Sequence, residues 1–454
     1  MAEPAERPAL HERLILALLN RVGAGDRGRR LAGGAAGAFV MKLASLLGAF
    51  VISVLLSRTL GATGFGAYAF AIAWIQLLLV VALLGTDRLL VREVAARVQL
   101  LEWGLLRGLL RRSQQGVLLA SLLLALLLGW ILSRGEPGSD TIDRSMLVAV
   151  WIALPLLPLF AWTRVRQTIL LGLDRVTVSQ APDQLIQPWL FILFALLLLL
   201  IAPASLSVNS ALLLQIAAAV LAFAYAFHLS RRHLPVQVRK AKVMYQTPVW
   251  LRATLPMLAV AGIQVINMRV DILMVGGMMG AEAAGLYTVA NRGAQLVLLV
   301  YFAVNAALAP TVAALHSQRD RARMQDVVRK ATRITFLGSL PIALALIIGG
   351  RWFLQIFGSE FVAGYTALVI LSTGQMIVVF FGAVGTVLLM TNHERQAAIG
   401  AASSAVLNIV LNLLLIPHYG MTGAAWAFFA GQGSAALLMA ILVRKKVGIT
   451  PSAL

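Results

Sequence analysis

Cysteine is absent from the 454-residue chain, which rules out a disulfide framework and any thiolate metal site. Histidine is scarce: six residues, at 11, 228, 233, 316, 393 and 418, show no ligand spacing, so neither a metal nor another cofactor is expected. Acidic residues number only 18 against 38 Lys and Arg, and no Asp-x-Asp pair occurs. One His-x-x-x-Asp, His316 to Asp320, falls in a basic segment where chance explains it. A lipid-dependent glycosyltransferase of the membrane would need paired carboxylates or a His/Asp base beside an accessible loop. No Gly-rich loop ending in Lys-Ser/Thr is present either, so ATP hydrolysis is not expected and the chain does not read as an enzyme. No secretory signal is expected either. The apolar "LILALL" is too short and runs into "NRVGAGDRGRR" rather than a small-residue cleavage site. Leu10, Leu14, Leu18 and Leu19 instead predict a short helix lying on a membrane surface.

What the chain does have is apolar length. Hydrophobic residues make up 60% and charged residues 12%, with a mean hydropathy of +0.87, where a soluble domain carries about 25% charge. The class is therefore an all-α polytopic membrane protein. With about 20 residues per crossing, spans are expected near 35–57, 65–85, 116–132, 146–171, 184–203, 208–229, 249–278, 285–310, 331–350, 362–390, 396–417 and 421–443, twelve in all. Alternate connections divide the basic residues very unequally. One side collects 29 Lys and Arg, among them Arg88, Arg92, Arg97, Arg231, Arg232, Arg319, Arg321 and Lys445; the other holds only Arg58, Arg134, Arg144 and Arg351. Positive-inside asymmetry then predicts that both termini are cytoplasmic. It also assigns most of the +20 net charge to topology and anionic headgroups, with no nucleic-acid partner expected.

Residues 60–71, "LGATGFGAYAFA", and 279–290, "MGAEAAGLYTVA", repeat at an offset of 219. The matches include Gly61/Gly280, Gly66/Gly285, Tyr68/Tyr287 and, further on, Gln76/Gln295. A second echo pairs "TILLGLDR" at 168–175 with "TVLLMTNHER" at 386–395. One offset shared by two echoes predicts two six-helix lobes of the same orientation, related by an axis along the membrane normal. The expected organisation is a cytoplasmic tail with an amphipathic helix (1–32), an N-terminal lobe (33–230), a basic linker (231–248), a C-terminal lobe (249–443) and a cytoplasmic tail (444–454).

Four stretches, "SRTLGATGFGAYAFA", "GTDRLLVREVA", "DILMVGGMMGAEAAGLYTVANR" and "LNIVLNLLLIPHYGMTGAAWA", occur in that order. Together the chain resembles the Wzx-type polysaccharide and O-antigen flippases of the multidrug/oligosaccharidyl-lipid/polysaccharide exporter superfamily, over roughly residues 33–443. The resemblance implies a twelve-helix, two-lobe fold in the bacterial inner membrane. It implies alternating access for a polyprenyl-diphosphate-linked oligosaccharide, with membrane lipid and a polysaccharide polymerase or assembly complex as partners. The alternative within the superfamily is a cation-coupled multidrug exporter.

A diphosphate head crossing hydrocarbon calls for cationic residues inside the membrane, and a charge at mid-bilayer costs at least about 2.5–3.5 kcal/mol. Lys42 lies roughly 10 Å into the first span at 1.5 Å per residue, on a face with Ala38, Ser45, Ala49 and Ser53. Arg269 and Arg292 flank the turn near residue 281 almost equally, which puts them at similar depth on adjacent helices. Asn291 and Gln295, with Asn305, and Asn408 and Asn412, with Ser404, form polar stripes at helical spacing that either meet sugar hydroxyls or join helices. Asp271 is expected as an ion-pair partner of an arginine or as a coupling site, and Arg58 as an outer-gate residue or an interface anchor. Arg164 and Arg166 read as interface anchors. The N-terminal half shows no acid inside its expected spans.

Overall fold

The computed structural model describes residues 26–134, 144–202 and 205–450, and all regular structure within them is helical. The surface helix expected around Leu10 to Leu19 lies outside the described residues. The first long helix, Asp26–Leu83, is broken at Gly61 (φ 69°, ψ −179°) into α1 (26–60) and α2 (62–83). There follow α3 (Thr86–Gln99), α4 (Trp103–Arg134), α5 (Arg144–Ala153), α6 (Leu156–Gly172), α7 (Val176–Ile201) and α8 (Val208–His233). The short α9 (Val236–Lys240) leads into the second half. That half comprises α10 (Thr247–Met279), α11 (Ala281–Ser317), α12 (Arg321–Gln355), α13 (Ser359–Phe381) and α14 (Val384–Met390). The last helix, Glu394–Lys446, is broken at Gly420 (φ 60°) into α15 (394–419) and α16 (421–446).

Nine helices and the pair α5–α6, bent by 42° at Pro155, are long and apolar enough to cross a membrane. Two of the nine are the glycine-broken ones, so the described chain makes twelve crossings, six in each half. Large apolar side chains such as Leu126, Leu200 and Ile348 are exposed along them, and exposed Trp130, Trp352 and Tyr419 gather at one end, as aromatic belts do at an interface. Local signals set the ends: Ser207 and Ser210 form a capping box before α8, and Asp320 accepts the Arg323 N–H before α12.

Several expected boundaries move, the ninth crossing for one running from Arg321 to Gln355 rather than over 331–350. The third crossing is all of α4, well beyond 116–132. The fifth begins at Val176, because Pro182–Ile186 is a π-helical turn inside a continuing helix and not its start. The tenth stops at Phe381, because Gly382 takes φ 70°. The connection between the halves is not slack. The Met244 N–H donates to the Gly104 carbonyl at 3.0 Å, Arg107 donates to the Ala241 carbonyl at 2.7 Å, and a Cβ on Gly108 would sit 1.7 Å from the Met244 oxygen.

The duplication is written in the backbone. Gly61 and Gly280 share the same rare conformation (φ 69° and 86°, ψ −179° and −177°). Two further left-handed residues recur at an offset of 218: Leu101 with Arg319, both at φ 57°, and Asp174 with Asn392, both at φ 61°. The halves meet through the repeat itself. A Cβ built on Gly66 would lie 1.7 Å from the Ala281 carbonyl oxygen, and one on Gly285 would lie 2.2 Å from that of Ala62. Residue 281 is the counterpart of 62, so the contact is reciprocal, as an isologous interface requires. Only glycine lets the backbones approach this closely.

Around this crossing, at the arginine-poor end, two more links join the halves. Arg58 donates to the Ile356 and Gln355 carbonyls at 2.7 and 2.9 Å, capping the C-terminus of α12. Glu360 Oε1 accepts the Ala62 N–H at 2.8 Å, so its carboxylate sits on the N-terminus of α2. Gly66→Ala or Gly285→Ala is expected to disfavour this closed arrangement by about 1–3 kcal/mol, the usual cost of overpacking. Because the chain has no cysteine, spin labels at Thr59→Cys and Gln355→Cys report the separation directly. The alanine variants should show a longer distance population that the parent lacks.

Candidate functional site

From the closed end the helices diverge toward the arginine-rich end around a cavity of about 820 Å³. Its walls come from α1, α2, α3, α6, α7 and α8 of the first half and from α10 and α11 of the second. Ser45, Ala49 and Ile52 on α1 and Tyr68 and Ile72 on α2 form the deep part. Arg88, Arg164 and Gln264 are exposed toward the arginine-rich end.

Three arginines and two acids stand in the lining. Arg292 reaches it from α11 and donates to the Ala49 carbonyl on α1, which ties the two halves together at the cavity floor. Arg88 donates to Gln264 at 2.9 Å, again across the halves. Arg164 lies 3.7 Å from Asp183, which is carried inward by the π-helical turn of α7. Asp87 is the second acid. Glutamine is the commonest polar side chain: Gln180, Gln184 and Gln187 follow one another along α7 at i, i+4 and i+7, facing Gln167 of α6, Gln76 of α2 and Gln215 of α8. The Tyr68 hydroxyl donates to Gln215 at 3.3 Å.

Of the side chains singled out in the sequence, Arg292 is in the lining. Arg269 is half-buried beside it, close enough for the two guanidinium groups to repel, and makes no hydrogen bond among the described residues. Lys42 is exposed one turn before Ser45, its ammonium 5.7 Å from the ring centre of Phe302 on α11. Arg58 belongs to the closed end. Arg166 stacks on Phe227 with its guanidinium 4.7 Å from the ring centre, while Arg164, read as an interface anchor, is a cavity residue.

The polar stripes of the second half lie elsewhere. Asp271 is buried on α10 and accepts from Asn412 Nδ2 at 2.7 Å; the same amide donates to Asn408 Oδ1 at 2.6 Å. Tyr287 is fully buried next to this carboxylate. The expected ion pair between Asp271 and an arginine does not form: an asparagine on α15 takes the carboxylate instead. Asn291 is buried and Gln295 half-buried, neither in the cavity lining, although Gln76, the counterpart of Gln295, is part of it. Asp183, within α7, overturns the expectation that no acid lies inside the spans of the first half. Its signal was the run "QAPDQLIQP", whose glutamine spacing is helical, but Pro182 and Asp183 imitate a helix start and place it outside the span.

A family model described as polysaccharide biosynthesis protein matches residues 33–316, more than half of the chain. The chain belongs to that family. A second model, MatE, matches residues 256–414. Among curated relatives, the probable low-salt glycan biosynthesis flippase Agl15 of Haloferax volcanii is 27% identical over 158 residues, 35% of this chain and 34% of that protein, so the match spans about a third of the relative. Solved structures of similar fold include the lipid II flippase MurJ in an inward closed conformation, with TM-score 0.69, 15% identity, and 90% and 87% of the two chains covered. An inward-facing multidrug resistance MATE family transporter of the MOP superfamily reaches the same TM-score at 16% identity, covering 96% and 98%. The family member described here therefore has the twelve-helix fold of that superfamily, in agreement with the resemblance read from the sequence.

The buried Asp271 cluster yields a stability test. Asn412→Leu removes the donor that holds the carboxylate and should lower the thermal midpoint in detergent, consistent with the roughly 1–3 kcal/mol or more of an unsatisfied buried acceptor. Asp271→Asn keeps an acceptor oxygen at the same place and should change the midpoint far less.

Proposed function

We propose that this family member is a flippase for a polyprenyl-diphosphate-linked oligosaccharide in the bacterial inner membrane. The arginine-rich end, with both termini, faces the cytoplasm. The observation that carries this reading is the lining of the cavity: Arg88, Arg164 and Arg292 among a set of amides, open at the arginine-rich end and closed at the other. An anionic, polyhydroxylated head fits such a wall. Arginine binds phosphate oxygens in a bidentate fashion. Arg292, held against Ala49 with Arg269 beside it, supplies the deepest positive charge. Lys42, exposed on α1 near Phe302, offers a further positive charge, outside the cavity lining, to the diphosphate as it arrives. Release on the far side requires the halves to part at Gly66/Gly285, Arg58 and Glu360, a rocking motion of the two lobes. The product is then a substrate for a polysaccharide polymerase or assembly complex.

The test is the leaflet distribution of the lipid-linked oligosaccharide in cells with and without the protein. Loss should leave it in the inner leaflet. Arg292→Ala should slow translocation roughly tenfold to a hundredfold, as expected for one charged hydrogen-bonding partner worth about 1.5–3 kcal/mol. An unchanged distribution on loss would defeat the proposal.

A second reading is a cation-coupled multidrug exporter, favoured by the MATE-type neighbours and by the buried Asp271–Asn412–Asn408 cluster outside the cavity. Exchange of cationic dyes for sodium or protons in proteoliposomes, abolished by Asp271→Asn, would support it.

A further inference from the structure

The phosphate-binding role leaves the amides of the cavity unexplained, and they are its most specific feature. Gln180, Gln184 and Gln187 form a stripe on α7, with Gln167 opposite on α6. Gln167 is only 5% exposed, and its Nε2 makes no close hydrogen bond but lies within the influence of the Asp183 carboxylate; Oε1 of Gln184 has no hydrogen-bond partner in the protein. A buried amide left without a partner costs about 1–3 kcal/mol. In a bundle rich in leucine and alanine that cost is avoidable, since methionine or leucine would fill the same volume.

The arrangement suits one kind of ligand. Each amide offers a donor and an acceptor side by side, which matches neighbouring sugar hydroxyls or an acetamido group, each able to donate and accept. An apolar ligand would leave the buried atoms of Gln167 and Gln184 without a ligand partner, and sites built to bond a hydroxyl reject ligands lacking it by large factors. An acidic sugar is disfavoured for a different reason. Asp183 stands between Gln180 and Gln184 on the same wall, and its attraction to Arg164 at 3.7 Å already engages the nearest cation.

Resting on the flippase reading above, we infer that the wall formed by Gln167, Gln180, Gln184 and Gln187 is a sugar subsite that selects an uncharged, hydroxyl- or acetamido-bearing residue next to the diphosphate. Arg292 holds the diphosphate that every substrate shares. The amides read what is attached to it.

Full-length protein in nanodiscs tests this with three probes: bare polyprenyl diphosphate, its N-acetylglucosaminyl derivative and its glucuronosyl derivative. Their dissociation constants are read from tryptophan fluorescence. The parent should bind the N-acetylglucosaminyl lipid at least tenfold more tightly than the bare one, and the glucuronosyl lipid no more tightly than the bare one. The double variant Gln167→Met, Gln184→Met should bring the tenfold ratio close to one. Gln180→Met, Gln187→Met, at partly exposed positions, is a second variant that serves if the first does not fold. A preserved ratio in a folded variant, or glucuronosyl binding as tight as N-acetylglucosaminyl, overturns the subsite. Binding of the bare lipid without any sugar preference removes the subsite and leaves the flippase reading standing. Failure of the parent to bind any of the three lipids removes both.

Discussion

The structure is organised by the approach of two backbones at Gly66 and Gly285. Helices normally pack 8–10 Å apart, held off by their side chains. Here each glycine faces the carbonyl of its partner's helix start so closely that one methyl group would not fit. Because the residues in contact are counterparts in a repeat, the same short motif supplies both sides of the joint. Arg58 and Glu360 add to it by neutralising helix termini across the halves. Helices pinned together at one end and differing in direction must separate at the other, and the cavity toward the arginine-rich end follows from that geometry.

Duplication produced two similar scaffolds, and the polar residues added to them have diverged. Tyr68 and Tyr287 are counterparts, yet the first hydroxyl bonds to a cavity glutamine and the second lies sealed against Asp271. Gln76 lines the cavity where Gln295 does not. The first half places its amides around open space; the second binds its carboxylate and asparagines to one another in the core. In hydrocarbon each polar group needs a partner, inside the protein or within a polar cavity. The two halves satisfy that requirement in opposite ways, which is why the cavity lies mainly in the first.

The twelve crossings, the repeat and the two-lobe fold were legible in the sequence because apolar length, glycine placement and backbone turn chemistry are local properties. The cavity was less so. Asp183 and its neighbouring glutamines were hidden by a proline and an aspartate that ordinarily open a helix, whereas here a π-helical turn absorbs them without ending it. An ion pair with an arginine was one of two readings of Asp271, the other a coupling site, because charge complementarity favours an arginine; the partner found is Asn412. The partner chosen depends on how α10, α11 and α15 rotate against one another, and apolar periodicity does not specify that angle. Arg58 gave no sign that two carbonyls of α12 lie within its reach.

The placement of Arg269 next to Arg292, with no carboxylate bonded to either among the described residues, bears on how the halves move. Two like charges in a low-dielectric setting repel, and α10 and α11, which follow one another through the turn at Gly280, also pack side by side. An anion lying between the guanidinium groups would screen that repulsion and draw Arg292 and its α1 carbonyl contact into a new balance. A ligand shifts a conformational equilibrium only through a difference in its interaction with the two states. An anionic head at these arginines would supply such a difference at the cavity floor, where α1 and α11 from opposite halves meet. The contacts that close the far end are Gly66 with Ala281 and Arg58 with α12, on the same pair of halves. A change of angle between those halves at the floor must therefore be felt at the seal.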